Sequence, residues 1–227
     1  MRTDMAVAAV PAPSRWELGK AERRRRIVAA AAALVRENAY NDVSMIQIAQ
    51  RAEVAPATLY NLFATKAAIF LQVFDLDLAA FEQSLTQAAG SDPLERVFQA
   101  IELVAMSYER DPAFNRALAR ATHDQVEHLG AAIRKPRMQL WETLVAQIVA
   151  AGQLQPDTDP RLLSMALWQL MRGVFQDWAS GAITAERFAQ ESAYGVCLML
   201  QAYASEASAI RLRQRAAGLR QALSAAI

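Results

Sequence analysis

The side chains best suited to chemistry in this sequence lie between Ser44 and Lys66. Thr58 offers a methyl group and Asn61 an amide, which suit contact with a thymine methyl and paired hydrogen bonds to adenine. Tyr60 offers a hydroxyl on a ring that can also pack, and Lys66 stands at the start of a helical pattern, where backbone N–H groups favour a phosphate. These residue types point to recognition of double-stranded DNA.

Two short helices have to position these side chains, and the sequence predicts both of them. Ser44 is a suitable N-cap for a helix ending near Arg51, and Pro56 suits the first position of a second helix ending near Leu62. Ala49 is small enough to let the two helices cross steeply, as a helix-turn-helix unit requires. The second helix of such a unit enters the major groove. The residues predicted to face the bases are Ala55, Ala57, Thr58 and Asn61.

Charge is distributed unevenly along the chain. Residues 14–66 hold nine Lys/Arg and five Asp/Glu, a net of +4, whereas residues 67–227 hold 14 and 17, a net of −3. A basic N-terminal region on a slightly acidic body indicates a polyanionic partner for that region alone. The DNA contacts predicted in addition to the base-facing residues are Arg24, Ser44, Tyr60 and Lys66.

The motif Thr58-Leu59-Tyr60-x-x-Phe63-x-x-Lys66, within the run IAQRAEVAPATLYNLFATKAAIF, resembles the TetR family of repressors. The resemblance implies an all-α chain of about nine to ten helices, with a helix-turn-helix domain followed by a larger ligand-binding and dimerisation domain. Glu53 stands where the family usually has glycine, and a left-handed conformation there would cost ~1 kcal/mol. Ala55 stands where the family often has serine or threonine, and the missing cap is worth about 1 kcal/mol.

The helical patterns divide the chain into four segments. Hydrophobic residues make up 54% of it, good helix formers dominate, and Val, Ile and Thr form no alternating runs, so no strands are predicted. We expect a disordered arm at 1–14, the helix-turn-helix domain at 15–65, the ligand-binding and dimerisation domain at 66–205, and a polar tail helix at 206–227.

The eighth predicted helix, which runs to about Ala179, is apolar on two faces, and both faces must be buried. By resemblance, helices 8 and 9 of two subunits form a four-helix bundle, and a palindromic operator requires a two-fold protein. The alternative, that all these side chains belong to the core of a monomer, stays open. The residues predicted at the dimer interface are Trp168, Phe175, Trp178, Tyr194 and Leu198.

The resemblance also implies a ligand pocket enclosed by helices 4 to 8. Polar side chains stranded among apolar ones are the candidates for ligand contact, although each is more often a satisfied core or surface group. Phe74 and Phe81 are expected in the pocket wall, and the apolar lining indicates a small hydrophobic effector. The candidate ligand contacts are Tyr108, Asn115, His123, His128, Trp141, Gln169, Arg172 and Gln176.

Several other functions lack support in the sequence. His123 and His128 are five residues apart, about 140° around a helix, so they diverge and no metal site is predicted. No nucleophile, phosphate-loop or dinucleotide motif is present, so no cofactor and no enzymatic activity are expected. The single Cys197 fits a reducing cytoplasm, and no apolar stretch reaches the roughly 18 residues that span a bilayer.

Two hypotheses follow. The first is a ligand-responsive DNA-binding regulator, a repressor released by its effector. The second is an all-helical carrier or enzyme for small molecules or lipids that contains an incidental helical hairpin. The basic N-terminal region, together with Tyr60 and Lys66, favours the first.

Overall fold

The computed structural model of the protein describes residues 14–88, 90, 92–123 and 129–225. This part of the chain is helical throughout, and its only extended pairing is an isolated antiparallel bridge between Leu154 and Ala204. A 3-10 turn at Tyr40–Asp42 follows the first helix. The α-helices are α1 (Arg15–Glu37), α2 (Met45–Arg51), α3 (Pro56–Leu62), α4 (Lys66–Ala88), α5 (Pro93–Arg110), α6 (Pro112–His123), α7 (Leu129–Ala150), α8 (Pro160–Ser180), α9 (Ala185–Gln201) and α10 (Glu206–Ala225).

The predicted all-α fold class is confirmed. The arm predicted at 1–14 lies outside the described residues except for Ser14, which caps α1. Its hydroxyl accepts from the Glu17 backbone N–H at 3.2 Å, and the Glu17 carboxylate accepts from the Ser14 N–H at 2.7 Å. This capping box satisfies two of the N–H groups that a helix start leaves free.

A first hydrophobic core joins α1, α2 and α3, which we call the N-terminal head, to the first half of α4. Ile27, Ile48, Leu59 and Ile69 are all fully buried in it. Ala49 is fully buried as well, as the predicted crossing of α2 and α3 requires. The same core includes Phe114, Ala117 and Ile133 from α6 and α7, so the head packs against the rest of the chain through more than α4.

The turn between α2 and α3 is left-handed at Glu53, where the family resemblance implies a glycine. Glu53 has a φ of 52°, in the left-handed region that costs a non-glycine residue about 1 kcal/mol. Ala55 is the N-cap of α3 and makes no side-chain hydrogen bond to it. Ser44 caps α2 with a capping box to Gln47. The helix-turn-helix unit thus forms despite two unfavourable residues, because its buried corner outweighs them.

A second hydrophobic core lies in the body of the protein, formed by the end of α4 and by α5, α7, α8, α9 and α10. The predicted polar tail helix is α10, and it is not a solvated tail: Leu212 is 1% exposed and packs into this core. Arg211 pairs with Asp92 and, at 2.9 Å, with Glu95, while Arg215 also pairs with Glu95. The sequence pattern predicts these arginines in solvent, but the acidic start of α5 binds them.

Helix α7 also differs from expectation. Gly130 and Pro136 are predicted to separate two helices, but α7 starts at Leu129 and continues through Pro136. A proline inside a helix costs about 3 kcal/mol or more. The second half of α7 buries Val145 and Ile148 completely in the body core, and this burial favours one continuous helix.

Candidate nucleic-acid interface and ligand cavity

Helix α3 has one buried and one exposed face. Leu59 is fully buried, whereas Tyr60 is 52% exposed and Ala55, Ala57 and Asn61 are exposed beside it. Thr58, predicted with this group, is half-buried at its edge. The exposed face therefore presents a phenol and an amide on a short helix, surrounded by side chains small enough for another surface to approach closely. This face has the dimensions and chemistry that major-groove recognition requires.

Lys66 faces inward, contrary to the prediction that it meets a phosphate. Its ammonium donates to the backbone carbonyls of Tyr40 and Val43, both at 2.8 Å, and lies 4.2 Å from the centre of the Tyr40 ring. Burial lowers the pKa of Lys66, and the nearby Asp42 carboxylate acts in the opposite direction. The side chain ties α4 to the turn that precedes α2.

Arg24 is likewise engaged within the protein. Its guanidinium donates to the Leu62 carbonyl at 3.0 Å and to the Gln72 side-chain oxygen at 2.9 Å, and it stacks 4.3 Å from the centre of the Phe63 ring. Arg24 is predicted to contact a phosphate, but here the carbonyl left free at the end of α3 takes its guanidinium. Arg24 therefore holds α1, α3 and α4 together.

Ser44 is exposed, but its hydroxyl is occupied by the capping box. The oxygen accepts from the Gln47 N–H at 3.2 Å and the hydroxyl donates to the Gln47 side-chain oxygen at 2.8 Å. Among the residues predicted to bind DNA, the structure thus distinguishes those on the open face of α3 from three that serve the internal architecture.

A cavity of about 750 Å³ lies in the body, between α4, α5, α6, α7, α8 and α9. Phe81 lines it as expected, whereas Phe74 is buried in the core of the N-terminal head instead. His123 ends α6; its side chain, and the whole of His128, lie outside what the structure describes. The other candidate ligand contacts all line the cavity, namely Tyr108, Asn115, Trp141, Gln169, Arg172 and Gln176.

One wall of the cavity is aromatic. Tyr108 stacks on Trp178 with ring centres 4.3 Å apart, and the rings of Phe175 and Phe188 lie 5.2 and 4.9 Å from it. Burial raises the pKa of the Tyr108 hydroxyl, so this group stays neutral. The cavity thus has a dry aromatic wall, which differs in chemistry from a second, charged region of its lining.

The aromatic wall corrects the predicted dimer interface. Trp178 is 3% exposed, and Trp168 and Phe175 both line the cavity, so all three belong to the interior of one subunit. The apolar side chains that α8 leaves at the surface are Leu162, 60% exposed, and Met165, 49% exposed. On α9, Leu198 is 51% exposed and Tyr194 is half-buried. The apolar stripe of α8 that looked free in the sequence serves the cavity.

Of the charged region, only Arg172 was predicted. Asp77 of α4 lies 3.8 Å from the guanidinium of Arg137 on α7, and Arg110, Arg134 and Arg172 also line the cavity. The side chain of Asp77 is 45% accessible, yet the surrounding helices desolvate it. This burial raises its pKa, against the opposing effect of Arg137. The signal was present in the sequence, because Asp77 interrupts the apolar stripe Phe70, Phe74, Phe81 at helical spacing.

Two helices connect the cavity to the N-terminal head. Helix α4 runs from the head to the cavity wall at Asp77 and Phe81. Helix α6 does so too: the Arg36 guanidinium of α1 donates to the Asp111 carboxylate at 2.6 Å and lies 5.2 Å from the centre of the Phe114 ring. Helix α4 is therefore one of several connections between the cavity and the head.

Comparison with known proteins shows which family has this arrangement. Residues 27–73, called here the matched segment, match the model of the tetR family of bacterial regulatory proteins. Over 178 residues the chain is 31% identical to an uncharacterized HTH-type transcriptional regulator of Mycobacterium tuberculosis, covering 78% of this chain and 79% of that protein. The chain belongs to the TetR family. It is therefore a DNA-binding transcriptional regulator, as the first of the two hypotheses states.

Two further TetR-family proteins are similar to this chain. The HTH-type transcriptional repressor KstR of Rhodococcus jostii is 32% identical to this chain over 100 residues. These residues make up 44% of this chain and 47% of KstR. The structure of FadR from Thermus thermophilus, a TetR-family repressor in complex with lauroyl-CoA, shares the fold with a TM-score of 0.63 at 22% identity. The structural match covers 78% of this chain and 93% of the FadR chain.

Within the described residues of this TetR-family chain, no helix combines the length and apolar character needed to cross a membrane. Those residues also bring no three His, Cys, Asp or Glu side chains together as a metal site.

Proposed function

We propose that this regulator represses transcription in the cytoplasm by binding a palindromic operator as a homodimer, and that a small effector in the cavity releases it. The observation that supports this most is the position of α4. Its first residue, Lys66, fastens the N-terminal head, and its middle residues Asp77 and Phe81 line the cavity. The recognition helices of a dimer must stand about 34 Å apart, so an effector that displaces α4 weakens DNA binding.

The exposed face of α3 supplies the proposed base contacts. Asn61 pairs with an adenine and Thr58 brings its methyl against a thymine, while Ala55 and Ala57 allow close approach to the groove floor. Tyr60 donates its hydroxyl to a phosphate, which fixes the register without reading sequence. In this assignment Arg24, Ser44 and Lys66 act indirectly, by holding α2, α3 and α4 in place.

The exposed apolar side chains of α8 and α9 support a dimer. Leu162, Met165 and Leu198 are each about half or more exposed, and a second copy of the same surface would remove them from water. Gly195 of α9 lies so close to Leu170 of α8 that an added Cβ would stand 2.6 Å from a Leu170 methyl. The two helices can therefore pack tightly as a pair and present one continuous surface.

We further propose that the effector combines an apolar body with an acidic group. The aromatic wall suits the apolar part, and Arg134, Arg137 and Arg172 suit a carboxylate or phosphate, which guanidinium groups bind with paired hydrogen bonds. A cavity of about 750 Å³ falls within the range that holds small organic ligands. Lauroyl-CoA, which the FadR of Thermus thermophilus binds, has this combination and is a suitable first probe.

Selection of binding sites from randomised DNA tests the proposed function. We expect the wild-type chain to select a palindrome, and Asn61→Ala to lose preference at one position in each half-site, with a discrimination loss of at least about 1 kcal/mol. Asn41→Ala, an exposed asparagine outside α3, is the matched control and should select the wild-type operator. An unchanged operator for Asn61→Ala would refute its assignment, and selection of no sequence by the wild type would refute the proposed function.

Replacement of Asp77 tests the effector class. An ionised Asp77 repels an acidic ligand and occupies Arg137, so Asp77→Asn should strengthen lauroyl-CoA binding by about tenfold near neutral pH, equivalent to about 1.4 kcal/mol. The pKa of Asp77 is raised, so wild-type affinity should rise as the pH is lowered from neutral and the carboxylate takes up a proton. The variant lacks this rise, and the difference between the two should shrink in acid.

The measurement is the change in tryptophan fluorescence on titration, since Trp141 and Trp168 line the cavity. Asp75→Asn, an exposed carboxylate two residues away on α4, should bind like the wild type. Dodecanol, a neutral probe, should show no dependence on Asp77. Weaker lauroyl-CoA binding by Asp77→Asn would contradict the proposed acidic effector.

A further inference from the structure

The matched segment carries no net positive charge with which to bind DNA phosphates. It contains three Lys/Arg and three Asp/Glu, a net charge of zero. Each of its cations is already bound within the protein: Arg36 to Asp111, Arg51 to Glu37 at 2.7 Å, and Lys66 to two backbone carbonyls. Most of the affinity of DNA-binding proteins for duplex DNA comes from cations that neutralise phosphates, so that affinity must come from elsewhere in this chain.

The first three turns of α1 hold the missing charge. Residues 15–26, which we call the basic extension, lie outside the matched segment and contain six Lys/Arg against two Glu, a net of +4. The whole positive excess of residues 14–66 is therefore in this extension. Ile27 is the first buried residue of α1, while Trp16 and Leu18 are 67% and 54% exposed. The extension is a well-capped helix that packs little of its own surface.

Contacts at its base show where the extension points. Arg24 binds the carbonyl of Leu62 at the end of α3, and Arg26 reaches the carbonyl of Glu53 in the turn before α3, at 3.4 Å. Both anchors belong to the helix-turn-helix unit, one at the turn before α3 and one at its end. The nine residues of α1 that precede Arg24 extend a further ~13 Å at about 1.5 Å per residue, so the extension leaves the protein beside the recognition helix.

The side chains of the extension share a direction as well. At about 100° per residue, Trp16, Lys20 and Arg23 all lie within about 40° of Ile27 around the axis of α1. Ile27 points into the core of the head and is fully buried. The same face of the extension therefore continues, beyond the head, the side of α1 that packs on the head core. Within the described residues, neither Lys20 nor Arg23 is in an ion pair, and Lys20 lies 5.3 Å from the centre of the Trp16 ring.

We propose that the basic extension is a second DNA-binding element, which grips the sugar–phosphate backbone of the duplex flanking the bases read by α3. Lys20 and Arg23 neutralise phosphates on that flank, and Trp16 packs its exposed indole against the backbone and donates its N–H there. This inference rests on the proposed function, since it requires α3 to sit in the major groove. DNA seated on α3 meets the extension because Arg24 and Arg26 fasten the two together.

The salt dependence of operator binding tests this proposal in the full-length chain. Each phosphate that a variant no longer neutralises should lower the slope of log affinity against log salt concentration by about 0.9. Lys20→Gln with Arg23→Gln should therefore reduce the slope by about 1.8 per subunit. Affinity should fall for all sequences alike, and the operator selected from randomised DNA should stay the same. Trp16→Ala should shorten the protected flank in a footprint.

The matched control is Arg213→Gln with Arg220→Gln, two exposed arginines on α10 that should leave the slope unchanged. Melting temperatures of all variants should equal that of the wild type, because Lys20 is exposed and the extension contributes no buried apolar side chain. A wild-type slope and a wild-type footprint in the double variant would overturn the proposal while leaving sequence-specific binding by α3 intact. Absence of specific binding by the wild type would instead refute the proposed function.

Discussion

Lys66→Ala is expected to destabilise the N-terminal head by about 3 kcal/mol. The variant loses two hydrogen bonds from a charged donor, each worth about 1.5–3 kcal/mol, and a cation–π contact worth about 0.5–1 kcal/mol where partly exposed. Because Lys66 is only half-buried, water replaces part of these interactions, and the net loss is smaller than their sum. The carbonyls of Tyr40 and Val43, each bound at 2.8 Å, are left without this donor. For a domain of this size, such a change lowers the Tm by roughly 6–12 °C.

The effect on DNA should follow from this decrease in stability. Since Lys66 ties the start of α4 to the turn before α2, its removal lets α2 and α3 move relative to α4, and operator affinity falls at temperatures where the head is still folded. Circular dichroism melts and gel-shift titrations at two temperatures measure both effects. Lys66→Arg, which keeps the charge and its donors, should recover part of the stability.

Lys20→Ala provides the contrast, because it removes an exposed lysine from the same N-terminal region. It should keep the wild-type Tm and lose DNA affinity, whereas Lys66→Ala should lower the Tm and lose DNA affinity as a consequence. If Lys66→Ala melted like the wild type but bound DNA more weakly and with a smaller salt slope, Lys66 would be a phosphate contact after all, as the sequence alone suggested.

The difference between Lys20 and Lys66 shows what the sequence could predict here. Spacing predicted the two helices of the helix-turn-helix unit, with Ser44 before the first and Pro56 opening the second, because these depend on residues a few positions apart. It did not predict that Lys66 and Arg24 turn inward. Their partners are carbonyls at Tyr40 and Leu62, distant in sequence, and a backbone carbonyl leaves no mark in a sequence pattern.

The predictions for the cavity divide in the same way, between features that depend on residues close in sequence and contacts between residues distant in sequence. Residues that interrupt apolar stripes predicted six members of its lining, since such residues must face either a cavity or a partner. The pattern could not decide which apolar face of α8 turns inward, so Trp178 was placed at the dimer surface although it stacks on Tyr108. The ion pair of Asp77 and Arg137 joins α4 to α7, and only the packing of the two helices brings these residues together.

Arg36→Met is expected to reduce the coupling between effector and DNA by about 0.5–1 kcal/mol, roughly two- to fivefold, within the range known for residues between coupled sites. The physical reason is a short series of contacts. Asn115, in the cavity wall, donates to the Asp111 carbonyl at 2.9 Å, and the Asp111 carboxylate accepts from Arg36 of the head. An effector that moves the start of α6 thereby moves α1, in addition to what it does through α4.

Methionine at position 36 keeps an apolar stem over the Phe114 ring but removes the ion pair. The cap of α6 survives, since it uses the other carboxylate oxygen of Asp111, which accepts from the Phe114 N–H at 3.2 Å. Operator affinity without effector should therefore stay within about twofold of the wild type, because an exposed ion pair contributes at most about 1 kcal/mol to stability. The quantity to measure is the ratio of operator affinities without and with saturating lauroyl-CoA.

Arg51→Met is the matched control. Arg51 also pairs with an acid at 2.7 Å, and its side chain is 42% exposed, as is that of Arg36. Its partner Glu37 lies within the N-terminal head, however, so this ion pair does not join the head to the body. Arg51→Met should keep the wild-type response to the effector. If both variants responded like the wild type, the ion pair of Arg36 and Asp111 would carry no coupling, and the effector would act through α4 and through the apolar contacts of Phe114 and Ile133 with the head core.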